Sequence, residues 1–342
     1  MSGGVDSSTA AALLVDAGHE VTGVTMRLLG SDTPGGCCPS GSIRDAKRVC
    51  DTLGVPHYVL DLRDAFESTV VERFCGEYAV GRTPNPCIDC NDRVKFHALL
   101  VRALTNGAEY LATGHYARIE FDPDGTPWLA RGVDASKDQG YFLYRATEPQ
   151  LRHMLFPVGD LTKPAVRAYA ESRGLPTASR AESQEACFLA GGDARSFVRS
   201  RLPEPFVAGP FVDGSGDEVG RHDGAVGFTI GQRQGMGLAA GRRLHVTALH
   251  PASGVVEVGE RESLMARTVD ADDIAWRGGD GSRRVTAAVR YRAREGSATA
   301  TVAGGVLTLE FDEPVWAIAP GQAVVCWDGQ RVLGGGSVRE VR

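Results

Sequence analysis

No stretch of this chain approaches the roughly 20 consecutive apolar residues that a helix needs to cross a bilayer, and its first residues run straight into SGGVDSS with neither a basic nor an apolar leader. A cytoplasmic protein with no membrane partner is expected. A second Cys-x-x-Cys is missing, as is any Cys/His pair at zinc-finger spacing, so Cys87 and Cys90 are not half of a complete zinc site. The Gly-Lys-Ser/Thr ending of a Walker A loop is missing too, which excludes a phosphate loop of that kind. There are no internal repeats and no low-complexity tracts. Basic residues are outnumbered 37 to 43, for a net charge of −6. That balance weighs against a nucleic-acid partner, because phosphate is bound by Lys and Arg that displace condensed counterions. Local clusters count for more: Arg195, Arg199 and Arg201 lie close together, Arg290, Arg292 and Arg294 alternate, and Arg233, Arg242 and Arg243 flank a glycine-rich loop. On a strand, the alternation would put the second trio on one sheet face.

What is present is a globular composition, 42% hydrophobic and 23% charged, which excludes disordered and fibrous architectures. A length of 342 residues predicts two or three domains. The first half alternates helical and strand patterns as a parallel, doubly wound α/β sheet does. Helices are predicted over residues 7–17, 43–53, 65–79, 93–104 and 162–173, with Gly18, Gly54 and Gly174 as stops and Thr162 as an N-cap. Strands are predicted over 21–26, 57–60 and 110–113. Past residue 192 helical patterns become scarce, and short β-like runs follow at 244–249, 255–258, 286–291, 298–302, 306–311 and 323–327, as in small β domains. The expected division is a catalytic α/β domain over 1–192, a small central domain over 193–261 and a β domain over 262–342. Eight cysteines in a chain of this length make no secreted disulfide framework; they point to thiol or metal chemistry in a reducing compartment.

Three segments carry chemistry. In Ser2-Gly3-Gly4-Val5-Asp6-Ser7-Ser8, two glycines let the backbone approach an anion, the serines offer hydroxyls, and the segment opens a helix whose first N–H groups attract phosphate. Asp6 is a candidate Mg²⁺ ligand. In Thr83-Pro84-Asn85-Pro86-Cys87-Ile88-Asp89-Cys90-Asn91, a proline-stiffened turn presents two thiols ahead of a predicted helix, a position that lowers the pKa of Cys90. In Ser183-Gln184-Glu185-Ala186-Cys187-Phe188, a lone cysteine follows a turn; by itself it would be a buried core thiol, and beside Cys90 it becomes a candidate partner, since one cysteine must hold sulfur as a persulfide and a second release it.

SGGVDSS resembles the loop of the N-type ATP pyrophosphatases, which cleave ATP between the α- and β-phosphates. Taken in order with the Gly-Cys-Cys at residues 36–38, TPNPCIDCN, TGHYAR, KDQGYFLY, LFPVGDLTKP, SQEACF, HDGAVGFTIGQRQGMG, RYRAR and EPVWAIAPGQAVV, it is similar over nearly the whole chain to the bacterial tRNA-specific 2-thiouridylases. The resemblance implies an ATP pyrophosphatase domain, a central domain and a C-terminal β-barrel. It implies ATP on Ser2 to Ser8 with Met26 and Gly114 near the adenosine, the target base at Asn85, Pro86 and Cys87 with His115 beside it, and tRNA contacts from Lys137, Asp138, Gln139, Arg290, Tyr291 and Gln322. It makes Cys187 the persulfide carrier and Cys90 the nucleophile, joined afterwards in a disulfide. The implied activity is ATP-dependent 2-thiolation of a wobble uridine in tRNAs for Lys, Glu and Gln, with Mg²⁺, sulfur from a cysteine desulfurase or relay protein, and a monomeric enzyme.

Two departures bear on these expectations. Relatives carry an apolar strand ahead of the loop, so an N-terminal extension upstream of Met1 is expected. Some relatives carry an aspartate where this chain has Cys87, which leaves Asp89 as a weak substitute acid or base and makes Cys87, Cys90 and Cys187 a candidate iron–sulfur ligand set. The competing readings are a pyrophosphatase-type ligase that adenylates a small molecule, which gives the thiols no task, and a non-catalytic RNA-binding protein that keeps ATP for stability. Cys37 and Cys38 have no chemical assignment, and Cys50, Cys75 and Cys326 read as core residues.

Overall fold

The structure is a computed structural model that describes residues 1–29, 40–181, 187–189, 193–202, 206–238 and 241–342. Cys37, Cys38 and the 183–186 segment before Cys187 lie outside the described residues. The chain divides into two compact bodies. The first comprises Met1–Val70, Cys87–Gly191 and Gln330–Val332, and the second Val71–Pro86, Gly192–Gly329 and Leu333–Arg342.

The first body is parallel α/β, as the sequence predicts. Strand β1 (Gly23–Arg27) pairs in parallel with β2 (His57–Asp61) from Gly23↔His57 to Arg27↔Asp61. Such pairing requires a crossover between the strands, supplied by the helix Ser40–Leu53. Ala46, Val49 and Cys50 on that helix are fully buried at the expected helical spacing, and Gly54 ends it at φ 69°. A second parallel pair joins β3 (Leu111–Ala112) to β6 (Met154–Leu155). Between them in sequence an antiparallel hairpin, β4 (Ala117–Phe121) and β5 (Pro127–Arg131), lies outside the predicted elements, although Asp122-Pro123-Asp124-Gly125 is a turn sequence and Gly125 takes φ 82°.

The helix Val5–Asp16 begins at the glycine-rich loop and has Val5, Ala10 and Ala12 in the core with Val49, Tyr116, Val158, Val166, Ala170 and Leu175. Its alanines permit close approach to the helix Lys163–Ser172, which starts where predicted, with Thr162 Oγ1 accepting from Ala165 N–H at 3.4 Å. That apposition brings the loop and Lys163 together.

In the second body four short strands, β7 (Gly209–Val212), β8 (Glu218–His222), β9 (His245–His250) and β10 (Val255–Gly259), form a sheet in the order β8-β7-β10-β9 over a core of Phe211, Ala225, Phe228, Met236, Leu244, Val246, Val256 and Val258. Six longer strands follow: β11 (Met265–Trp276), β12 (Gly281–Ala288), β13 (Gly296–Ala303), β14 (Val306–Trp316), β15 (Ala323–Asp328) and β16 (Arg331–Val341). They run β11-β14-β13-β12-β15-β16, and β16 pairs back onto β11, closing a barrel. Gly304 and Gly305, at φ 56° and 77°, form the two-residue turn between β13 and β14, where both central residues need positive φ.

One sequence expectation fails here. Residues 290–294 do not form a strand: β12 ends at Ala288, and Arg290, Arg292 and Arg294 lie in the connection to β13, with Arg292 at φ 59°. They therefore share no sheet face.

Candidate active site

The phosphate-type loop is built by its glycines. Gly3 has φ 72°, and a Cβ there would lie 2.5 Å from the Ser42 carbonyl oxygen and 3.2 Å from Arg180 Nη1, so both conformation and space demand glycine. Arg180 Nη1 donates to the Gly3 carbonyl at 2.8 Å and pairs with Asp45, and its Nη2 donates to Ser42 Oγ at 3.1 Å. This guanidinium ties the loop to the helix Ser40–Leu53; neither Arg180 nor Asp45 stands out in the sequence. Gly4 caps the helix Val5–Asp16 with no side-chain hydrogen bond, so the first-turn N–H groups have no side-chain acceptor drawing them from an anion.

The serines are engaged within the loop. Ser7 and Ser8 hydroxyls donate to the Gly4 carbonyl at 3.2 and 2.9 Å, and Ser2 N–H donates to Ser7 Oγ at 3.2 Å. Ser8 is fully buried and Val5 nearly so; both support the loop from beneath, while Ser2 is exposed. Gly114 sits against the loop: a Cβ there would lie 2.6 Å from Ser7 N. Met26 is half-buried on β1.

Asp6 is in an ion pair. Lys163 Nζ donates to both carboxylate oxygens at 2.6 and 2.8 Å, and Tyr116 Oη donates to Oδ1 at 2.7 Å. Lys163 is itself buried, its ammonium 5.6 Å from the Tyr116 ring centroid. Lys163 and Tyr116 thereby fix the orientation of the Asp6 carboxylate, the candidate Mg²⁺ ligand. Lys163 lies within the LFPVGDLTKP segment but received no role from the sequence; its signal was a lysine at the first position of a clearly capped helix.

The thiol pocket differs from its prediction. The helix begins at Pro86, not at residue 93, and runs from Pro86–Asp89 into a π-helical stretch, Cys90–Leu99, then Leu100–Thr105. Proline fits the first helical position because its missing N–H would have no partner there. Cys87 lies in the first turn, but Cys90 lies inside the helix and is buried. The expectation of a low-pKa Cys90 at a helix N-terminus is therefore corrected: burial pushes the thiol up to about 12, opposed by the Lys95 ammonium, and Cys87 is pushed up to about 11 by the same cause, with Cys187 adding to it. All six described cysteines are thiols.

Lys95 lies on the π-helical stretch that begins at Cys90, close enough for its ammonium to act on that thiol. Lys95 Nζ donates to Asn91 Oδ1 at 2.8 Å and lies 3.4 Å from His115 Nε2. An ammonium only donates, so Nε2 accepts, and Nδ1 carries the proton that it donates to Thr113 Oγ1 at 2.7 Å. His115 is buried between the edges of Phe96 and Phe156; burial first, and the neighbouring ammonium second, hold its pKa well below the ordinary histidine value, so it is neutral. Cys187 is exposed, but Phe188 beside it is buried edge-on against Phe66 at 5.9 Å and anchors that turn. Asp89 is largely buried, with Arg93 Nε 3.6 Å away.

Among the described residues no group of three or more His, Cys, Asp or Glu is placed to hold a metal ion. Cys87, Cys90 and Cys187 form no such iron–sulfur ligand set; Cys90 is buried, Cys87 half-buried and Cys187 exposed.

Other expected contacts are spread over both bodies. Asp138 Oδ1 accepts from Gly132 and Gly140 N–H at 3.0 and 3.2 Å, and Gln139 clasps Tyr116, accepting from its N–H at 2.9 Å and donating backbone N–H to its carbonyl at 2.9 Å. Gln139 thus holds the segment next to His115, while Asp138 ties Gly132 to Gly140. Lys137 is half-buried, its N–H donating to the Asp134 carbonyl at 2.9 Å. Asn85 and Pro86 lead directly into Cys87. In the second body Arg290 lies over Trp316, Tyr291 packs under Arg292, and Gln322 accepts at its carbonyl from Val338 N–H at 2.8 Å.

The first body thus combines a glycine-rich loop that opens a helix with the thiols Cys87, Cys90 and Cys187. Family models match residues 1–191 ("tRNA methyl transferase HUP domain"), 195–260 ("tRNA methyl transferase PRC-barrel domain") and 266–338 ("Aminomethyltransferase beta-barrel domain"). The chain is 51% identical over 351 residues to the tRNA-specific 2-thiouridylase MnmA of Moorella thermoacetica, covering 100% of this chain and 98% of that one. It is 46% identical over 349 residues to the same enzyme of Heliobacterium modesticaldum, covering 99% and 91%. The chain belongs to the tRNA-specific 2-thiouridylase family. Solved structures resemble it far more loosely; an NMN synthetase from Francisella tularensis matches at TM-score 0.33 and 18% identity over 59% of this chain and 74% of its own, too distant to carry an argument.

Proposed function

We propose that this protein replaces O2 of the wobble uridine of tRNA with sulfur at the expense of ATP, in the cytoplasm. The observation that carries this reading is the presence in one body of a pyrophosphatase loop and the three thiols Cys87, Cys90 and Cys187. Uracil O2 is a poor leaving group, so it first attacks the α-phosphate of MgATP and expels pyrophosphate. Ser2 to Ser8, with Met26 and Gly114, hold the nucleotide; Asp6 shares the Mg²⁺ and Lys163 neutralises phosphate charge. Asn85, Pro86 and Cys87 with His115 hold the base. The outer sulfur of a Cys187 persulfide attacks C2, AMP departs with the original oxygen, and Cys90 attacks the Cys187 sulfur, releasing 2-thiouridine. Alternatively Cys90 first frees hydrosulfide, which attacks C2. Both routes end in a Cys90–Cys187 disulfide, which a dithiol reductant opens by a two-electron exchange. Because burial favours a neutral Cys90, the Lys95 ammonium is the group that stabilises its thiolate during attack.

The domain limits follow the sequence division, 1–192, 193–261 and 262–342. The tRNAs are those for Lys, Glu and Gln, contacted by Lys137, Asp138, Gln139, Arg290, Tyr291 and Gln322; the sulfur comes from a cysteine desulfurase or relay protein, and the enzyme acts as a monomer. The test is pyrophosphate release from ATP. Stimulation by unmodified tRNA and not by small acceptors supports the reading, whereas stimulation by small acceptors alone replaces it with a small-molecule ligase.

A further inference from the structure

The second body holds a cavity of about 440 Å³ lined by Gly231, Arg233, Gln234, His245, Arg261 and Trp316. None of these residues is among the expected nucleotide, base or tRNA contacts. Its walls are drawn from four places in the chain. The 231–234 loop is tied to β9 by Gly231 N–H donating to the Val246 carbonyl at 2.8 Å and Val246 N–H to the Gln232 carbonyl at 2.9 Å. Gly231 also lets Ala317 approach, since a Cβ there would lie 2.6 Å from Ala317 Cβ. Arg261 precedes β11, and Trp316 ends β14.

The lining is cationic and short of hydrogen bonds. Arg261 lies 4.7 Å and Arg290 5.2 Å from the Trp316 ring centroid, and the His245 ring meets the same indole edge-on at 5.7 Å. Arg233, Arg261 and Arg290 are all exposed. His245 is 8% exposed, and both its Nδ1 and the Trp316 Nε1–H are buried without a hydrogen-bond partner. Burial, with Arg233 and Arg261, lowers the His245 pKa, so the ring is neutral; Glu262 offsets part of that charge. An indole N–H can only donate, so what completes this site is rich in acceptors, and the guanidiniums make it anionic. Guanidinium is suited to bidentate contact with phosphate, and as both stacked arginines are exposed, an anion drawing one off the indole opens the way to its N–H.

We infer that this cavity binds a backbone phosphate of the RNA substrate, away from the reacting base, with Arg233 and Arg261 as the principal contacts and Trp316 and His245 as the polar floor. The inference rests on RNA being the substrate and deepens that reading. A phosphodiester is preferred to a free anion because Arg290, itself an expected tRNA contact, shares the Trp316 ring, so the cavity continues a surface already assigned to RNA.

The test is tRNA binding by the full-length protein across a salt series, for the wild type, Arg233→Gln/Arg261→Gln and Arg233→Lys/Arg261→Lys, with thermal unfolding as a check on fold. In the glutamine variant the slope of log K against log salt should fall by about 1, with affinity at low salt down roughly ten-fold and kcat at saturating tRNA unchanged; the lysine variant should keep most of the slope. A melting temperature and a salt slope both equal to wild type would overturn the site. So would a Trp316 indole N–H resonance, assigned with Trp316→Phe, that moves with inorganic phosphate but not with tRNA. Failure of wild-type protein to bind tRNA at all would instead sink the RNA reading on which the site depends.

Discussion

Two motifs of the chain look alike in sequence and behave differently in the structure. Each is a short motif leading into a helix: Ser2–Ser8 into Val5–Asp16, and residues 83–91 into the long helix carrying the thiols. In the first, what matters is backbone. Gly3 at positive φ and Gly114 against Ser7 N leave room for nothing larger, so the residue types state the geometry directly. In the second, what matters is burial. Cys90 is pushed up to about 12 by burial where the motif suggested a lowered value, because the helix starts at Pro86 and carries Cys90 inside it. A loop can be read from its glycines; a thiol's reactivity depends on neighbours that sequence spacing does not reveal.

The sharpest break between the segments comes from deleting their chemistry. Cys187→Ser and Cys90→Ser should each abolish 2-thiolation, by at least about 1,000-fold as for other paired catalytic groups, while leaving tRNA-dependent pyrophosphate release measurable. Loss of pyrophosphate release as well would mean that the thiols also build the adenylation site. Gly3→Ala and Gly114→Ala act on the other segment and should do the reverse. The strain at Gly3 is of order 1–3 kcal/mol before its steric clash is added, so ATP affinity should fall by about 10- to 100-fold, with a lower melting temperature. ATP titration and thermal unfolding check both.

Lys95→Met probes the electrostatics of the thiol segment. Removing the ammonium should raise the Cys90 pKa further and slow sulfur transfer at pH 7 by roughly ten-fold, with recovery at higher pH; Lys95→Arg should restore most of the rate. A pH profile of single-turnover thiolation that is the same in Lys95→Met as in wild type would exclude this role.

The smallest effect concerns His115 and stability. Its folded pKa lies well below the ordinary value of 6.5, so the folded state binds fewer protons than the unfolded chain once pH falls below that value. Its contribution to stability is intact above about pH 6.5 and is lost on acidification, with a slope of up to about 1.4 kcal/mol per pH unit. His115→Gln should show a shallower loss between pH 6.5 and 5 in denaturant titrations; equal slopes would mean that His115 is not held neutral.

Much of the fold was legible for the same reason as the loop. Gly18, Gly54 and Gly174 end helices at positive φ, and Thr162 caps where expected. The 290–294 alternation misled because an Arg-Tyr-Arg-Ala-Arg pattern is equally compatible with a turn, and only the pairing of β12 with β13 and β15 shows that the strand ends at Ala288. Lys163 and Lys95 escaped notice as lone lysines, whose contacts with Asp6, Asn91 and His115 span up to 157 residues. Arg180 reaches Asp45 across 135. Such partners exist only once the chain is folded.

The most direct measurement is mass spectrometry of nucleosides from unmodified tRNA incubated anaerobically with the protein, MgATP, cysteine and a cysteine desulfurase, with Cys187→Ser in parallel and iron determined in the same preparation. The expected result is 2-thiouridine formed by the wild type and absent with Cys187→Ser, without stoichiometric iron. Absence of 2-thiouridine from the wild-type reaction, or its undiminished formation by Cys187→Ser, would contradict the persulfide route.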